Sequence, residues 1–315
     1  MSRPCDWRPM MPHKTPPAPV EVMPDPAWDH YTLYMGVRDS IASLPLHFRT
    51  ETVIGGIMAT DLFTLGAALG ATIEEQFVET LNSMREQWDP EKRYSLYHFH
   101  RQPQTFPDVL LRKTSEAGDV ILGLELKGWY LLAKEGEPSF RYQVTPQACN
   151  LQDLVVVIPW ALSNVISGTP KVFAPYMVSA RFAAEYRNYH WRYLREAKSD
   201  AGIKSPKRVS PYPCKSDEIA DRPASDAGGN FGRFSRTGLM DAYLKEASQQ
   251  TLCGIEAQYW RSFFKAFHEH TTPDSVHAEV ERLVSSLSKG PRAVNPTTLA
   301  RVQTILRELE GLVSE

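Results

Sequence analysis

A chain of 315 residues with 42% hydrophobic content is long enough to bury a large core, as one domain or one domain with an appended subdomain. It holds no run of eighteen apolar residues and opens on a polar, proline-rich stretch, so neither a membrane span nor a secretory signal is expected. A net charge of −2 excludes a chain that is basic throughout, and any nucleic-acid surface must be a local patch. Cys5, Cys149, Cys214 and Cys253 are scattered with no C-x-x-C pair, which fits reduced thiols in a cytoplasm and not a zinc site or disulfide framework.

In chain order, residues 1–24 read as an extended, proline-rich arm. Asp25-Pro26 predicts the start of a helix running to about Leu44, with Leu33, Val37, Ile41 and Leu44 at helical spacing. Thr50 to Met58 has no clear period. Asp61 to Trp88 predicts one long helix or two abutting ones, interrupted near Gly66 and Gly70, with Ile73, Phe77, Leu81 and Met84 as the apolar stripe. Glu74 stands beside that stripe and Glu75 lies further round. Tyr94 to Arg101 contains His98 and His100, an H-x-H pair without further ligands at metal spacing.

Phe106 to Leu111 and Val120 to Leu132 are two apolar runs separated by a turn, and predict adjacent strands of a hairpin, the second long enough to be central. Side chains alternate along a strand, so Glu125 and Lys127 share one face and Leu122, Leu124 and Leu126 line the other. Asp108, entering the first strand, can reach the same place. Two carboxylates converging from neighbouring strands are oxygen ligands suited to Mg²⁺, and an adjacent lysine can orient or activate an attacking water. Pro-Asp occurs three times, at Pro24, Pro107 and Pro273, but only the one at Pro107 lies on two such runs with an acid and a base on one strand face. The plain alternative is a salt-bridged Glu125 and Lys127 at a sheet edge.

Pro107-Asp108 followed by Glu125-Leu126-Lys127 resembles the signature of the PD-(D/E)XK nuclease superfamily. The resemblance implies Mg²⁺-dependent phosphodiester hydrolysis, with Asp108 and Glu125 as metal ligands and Lys127 positioning or activating the water. Glu74, on what resembles the first core helix, would be an auxiliary metal ligand. The implied fold is α/β, a restriction-endonuclease-like mixed sheet flanked by helices, over roughly residues 61 to 180.

Further along, Phe140 to Val144 precedes a short helical piece around Pro146 to Leu151. Asp153 to Trp160 predicts a strand buried on both faces, and Lys171 to Val178 another. Ser179 to Lys198 predicts a helix with Phe182, Tyr186, Tyr189 and Tyr193 as its stripe and Arg181, Arg192 and Arg195 off it. From Arg181 to Met240 there are 12 Lys/Arg against 7 Asp/Glu, a local excess suited to a polyanion. Within it, Asp226 to Gly238 carries three glycines followed by Arg233 and Arg236, expected either to fold over DNA or to be a solvated linker. It is not a P-loop, so no nucleotide cofactor is expected. Leu239 to Gln249, Ile255 to Glu269, Ser275 to Lys289 and Pro296 to Val313 predict helices.

The expected organisation is therefore an arm (1–24), a nuclease core (25–200), a basic Gly-containing loop region (201–238) and a helical C-terminal region packed on the core (239–315). The expected function is that of a cytoplasmic, sequence-specific type II restriction endonuclease that cuts double-stranded DNA as a homodimer. Arg181, Arg192, Arg233 and Arg236 are its candidate DNA contacts. The alternatives are a repair or junction-resolving nuclease, or a non-catalytic DNA-binding protein, on the same fold.

Overall fold

The computed structural model describes residues 15–57, 61–102, 104–115, 119–195, 202–226, 228–265 and 272–289, with short pieces between 296 and 304. The expected helix over 296–313 lies largely outside these residues, and the end of the one expected over Ile255 to Glu269 lies outside them.

The elements run α1 (Tyr31–His47), a 3₁₀ turn, α2 (Leu65–Ser83), α3 (Arg85–Trp88), β1 (Tyr97–Arg101), β2 (Val109–Lys113) and β3 (Val120–Tyr130). After a long irregular stretch come β4 (Leu154–Leu162), β5 (Pro170–Val172), β6 (Tyr176–Ser179) and α4 (Ala180–Tyr189), which continues as a π-helical turn over His190–Leu194. Two small ribbons, β7 (Ile203–Lys204) with β8 (Arg222–Pro223) and β9 (Thr251–Leu252) with β10 (Ile255–Glu256), flank α5 (Asp241–Ser248). The chain closes with α6 (Ala257–Phe264) and α7 (Pro273–Lys289).

Six strands form one mixed sheet in the order β1-β2-β3-β4-β5, with β6 also on β4. Every pairing is antiparallel except β3 with β4. All nine residues of β4 are buried, as its unbroken apolar run requires of a strand covered on both faces. The expected strand over 171–178 is divided at Ala174 and Pro175 into β5 and β6, which pair with opposite ends of β4. Phe140 to Val144 makes only isolated bridges, through Arg141 and Val144.

Three expected helices are corrected. Asp25 organises turns instead of capping α1: its Oδ1 accepts from Ala27 N at 2.9 Å and its carbonyl from Trp28 N at 2.8 Å, and the helix begins at Tyr31. Gly66 and Gly70 do not interrupt α2. A helix tolerates single interior glycines, and α2 runs unbroken past both, with Gly70 lying against Gly128 of β3, where an added Cβ would stand 3.5 Å from Gly70 Cα. The break comes at Met84 instead.

The third correction concerns α4. Its buried residues are Ala180, Ala183, Ala184 and Arg187, with Trp191 beyond, while Phe182, Tyr186, Tyr189 and Tyr193 form a half-exposed ladder with ring centroids 5.2–6.1 Å apart. Small alanines seat this helix close against its support, and Arg187 is admitted because its charge is met. It pairs with buried Asp221 at 2.5 Å and donates to the carbonyls of Tyr142 and Val144 at 2.8 and 3.0 Å.

One apolar cluster links all of this. It runs from Leu33 in α1 through the sheet to Trp260, Phe263 and Phe264 in α6 and Leu283 in α7, so the C-terminal helices share the core of the sheet. None of the described helices is long and apolar enough to cross a membrane.

Candidate active site

The ladder between β2 and β3 ends at the pair Val109–Leu124, while β3 continues to Tyr130 beside β4. From Glu125 onward, β3 therefore has an edge that β2 no longer covers. A buried peptide N–H must find an acceptor, and here carboxylates supply it. Leu126 N donates to Asp108 Oδ2 at 2.9 Å, and Gly128 N donates to Glu74 Oε1 at 3.3 Å. Asp108 comes from the residue just before β2, and Glu74 from α2, brought near by the glycine contact between α2 and β3.

Glu125 and Lys127 project from this length of β3. Lys127 Nζ lies 2.8 Å from Glu125 Oε1 and 3.3 Å from Asp108 Oδ2, and Asp108 N donates to Glu125 Oε2 at 3.3 Å. Arg101, at the end of β1, stands 3.8 Å from both Glu74 and Glu75. The side chains of Asp108, Lys127 and Glu74 keep 27%, 21% and 22% of their surface, so the cluster is open to solvent, with Glu125 deepest at 10%.

Four carboxylates thus face two cations. Burial pushes the Glu125 carboxyl up to about 7, with Lys127 pulling it down and Asp108 adding to the rise. Burial also raises Glu74, helped by the charge of Asp108. Lys127 is lowered by burial, but Glu125 and Asp108 more than offset this and hold it well above the usual lysine range. Its ammonium is a firm cation. Negative charge here is under-compensated, which is what a divalent cation would relieve.

No family model, curated protein or solved structure matches this chain. The reading of the site accordingly rests on its own geometry.

The donor set is hard oxygen. Among the described residues no group of three or more His, Cys, Asp or Glu forms a self-sufficient metal site. Asp108 and Glu125 instead offer a two-carboxylate set, the kind Mg²⁺ accepts while keeping waters and taking phosphate oxygens for its remaining positions. Glu74 enters the cluster through Gly128 N and Arg101.

The other candidate residues are placed differently. Arg233 and Arg236 converge on Glu137, at 3.6 and 2.9 Å. Their loop is pinned by buried Phe231 and Phe234, by Arg187 stacked 5.0 Å over Phe231, and by the Arg141–Asp226 contact at 3.5 Å. It is part of the packed body and is neither a solvated linker nor a free arm. Arg181 pairs with Glu185 at 3.1 Å on the exposed side of α4, and Arg192 is exposed on the π-helical turn.

Two further residues support the site. Arg101, which the sequence offers with His100 as a phosphate contact, is brought to Glu74 by the register of β1. Buried Asp153 accepts from Gly123 N at 2.8 Å, Asn150 N at 2.7 Å and Tyr212 Oη at 3.0 Å, tying β3 to the start of β4. An aspartate at the head of an apolar strand was its only signal.

Proposed function

We propose that this protein is a Mg²⁺-dependent endodeoxyribonuclease of PD-(D/E)XK type, and specifically a type II restriction endonuclease acting on double-stranded DNA. The observation that carries the reading is the meeting of Asp108, Glu125 and Lys127 within 3.3 Å contacts at an uncovered strand edge open to solvent. Asp108 and Glu125 would hold the ion. When bound, Mg²⁺ neutralises phosphate charge and lowers the pKa of a water.

The chain's own groups do the rest. Lys127, kept protonated by its two carboxylates, orients the attacking water and offers positive charge to the phosphate; as a cation it does not begin by removing a proton. Arg101 restrains Glu74 and Glu75, limiting repulsion of an approaching DNA strand. Cutting both strands calls for two such sites, so a homodimer belongs to the same proposal, as does a cytoplasmic setting for reduced Cys149, Cys214 and Cys253.

Incubating plasmid DNA of known sequence with the protein and Mg²⁺ tests this. Discrete fragments are expected, lost with Asp108→Ala, Glu125→Ala or Lys127→Ala while DNA binding survives. A smear would leave a nuclease without site specificity, such as a repair enzyme. No cleavage, with DNA binding unaffected by Asp108→Ala, would sink the enzymatic reading in favour of a DNA-binding protein.

A further inference from the structure

A second cluster of polar groups lies on the same face of the sheet as Glu125 and Lys127. His100, Leu110 and Gly123 are directly paired across β1, β2 and β3, so their side-chain positions share a face, and Glu125 is the next position of β3 on it. His98 pairs with Arg112, and His100 neighbours Arg112 diagonally, at the outer end of the same rows.

The cluster lacks counter-charge. Arg112 has no carboxylate partner among the described residues, and its Nε is a buried donor without an acceptor. His100 Nε2 is likewise buried and unbonded, although the residue as a whole reaches the surface. Arg85 Nη2 lies 3.2 Å from His98 Nδ1; the guanidinium can only donate, so Nδ1 accepts and Nε2–H of exposed His98 is left as a donor. Burial lowers both histidines, and the neighbouring charges acting on them, Arg85 on His98 and Arg112 on His100, are positive. Buried polar atoms are rarely left unpaired, and two adjacent ones on a cationic surface call for an anionic ligand.

We infer that His98, His100 and Arg112 form a subsite for a backbone phosphate of duplex DNA, flanking the phosphate that is cut. The inference rests on the nuclease reading of the neighbouring site. Strands stand about 4.8 Å apart and successive same-face residues about 7 Å apart, which sets His100 roughly 12 Å from Glu125. That spans a few nucleotides of one DNA strand, which rises about 3.4 Å per step along the axis while also winding around it. The carboxylate cluster grips the reacting phosphate only through a cation, whereas this subsite binds its phosphate directly, fixing which bond reaches the cluster.

The test is equilibrium binding of a short labelled duplex over a series of salt concentrations, with Ca²⁺ replacing Mg²⁺ so that binding is read before cleavage. The double variant His100→Ala/Arg112→Gln is expected to bind about tenfold more weakly, with a log–log salt slope flatter by about one. His98→Ala, at an exposed position that folding does not need, is expected to shift affinity in the same direction. Wild-type affinity and slope in both variants overturn the subsite. If the double variant fails to fold, unchanged binding by His98→Ala overturns it alone. Wild-type protein that cuts DNA while the variants bind normally removes the subsite and leaves the nuclease; wild-type protein that neither binds nor cuts removes both.

Discussion

Glu125 shows what it costs to place a carboxylate among apolar strands. Burial pushes its carboxyl up from 4.5 to about 7, and that of buried Asp153 up from 3.8 to about 6. Between the unfolded and folded values the native state binds more protons than the unfolded chain, so stability falls as pH rises through that window. Without metal, the melting temperature should therefore decline from about pH 4 to about pH 7. Mg²⁺ needs the ionised carboxylates, so the rise in melting temperature that it produces should grow over the same range. Calorimetry with and without Mg²⁺ checks both slopes; a Mg²⁺ shift retained in Glu125→Gln would remove that carboxylate from the ligand set. Lys127→Ala should lower the cleavage rate about 10²–10⁴-fold, the usual worth of a positioned proton-transfer or charge-stabilising group, in a single-turnover assay.

At the scale of elements, the site exists because β2 stops pairing before β3 does. Gly123 fixes where this happens: a Cβ there would collide with the ring of Pro107, the residue that delivers Asp108. Gly123→Ala should push Pro107 and Asp108 away from Leu126 N, lowering cleavage at least tenfold and costing roughly 1–3 kcal/mol of stability by overpacking. Urea denaturation beside a cleavage assay would show whether activity falls further than stability explains. The Arg187–Asp221 pair makes a different prediction. Asp221→Ala leaves a buried guanidinium uncompensated and should destabilise by about 3–5 kcal/mol. The loss should shrink when Arg187 is replaced as well, which a double-mutant cycle measures.

Across the whole molecule, α6 belongs to the same core as the sheet. Trp260 is fully buried, stacks 5.9 Å from Phe264 and donates to Leu252 O at 2.9 Å. Trp260→Ala should cost about 3–5 kcal/mol and shift a single unfolding transition, monitored at once by far-UV dichroism and by tyrosine fluorescence. Separate transitions from the two probes would mean that the C-terminal helices fold apart from the sheet. The half-exposed aromatic ladder from Phe182 to Tyr193 belongs to this scale as well, since it lies on the outward side of a helix whose alanines turn inward.

Local pattern alone was enough to indicate the hairpin of β2 and β3, the buried run of β4, and the shared face of Glu125 and Lys127, because alternation and apolar runs are properties of neighbouring residues. The same pattern misled at α4, where bulky aromatics outscored the alanines that pack closest, and at Gly66 and Gly70, because a helix tolerates single interior glycines. No periodicity announces Glu137 as the ion-pair partner of Arg233 and Arg236. Only the folded chain decided that Asp108 and Glu74 would cap the uncovered edge of β3, that Arg101 would reach α2, and that Asp153 would brace the strand from behind. Those contacts join residues 18 to 54 positions apart, and which of many possible partners meet is fixed by where strands stop pairing, not by any residue's neighbours in sequence.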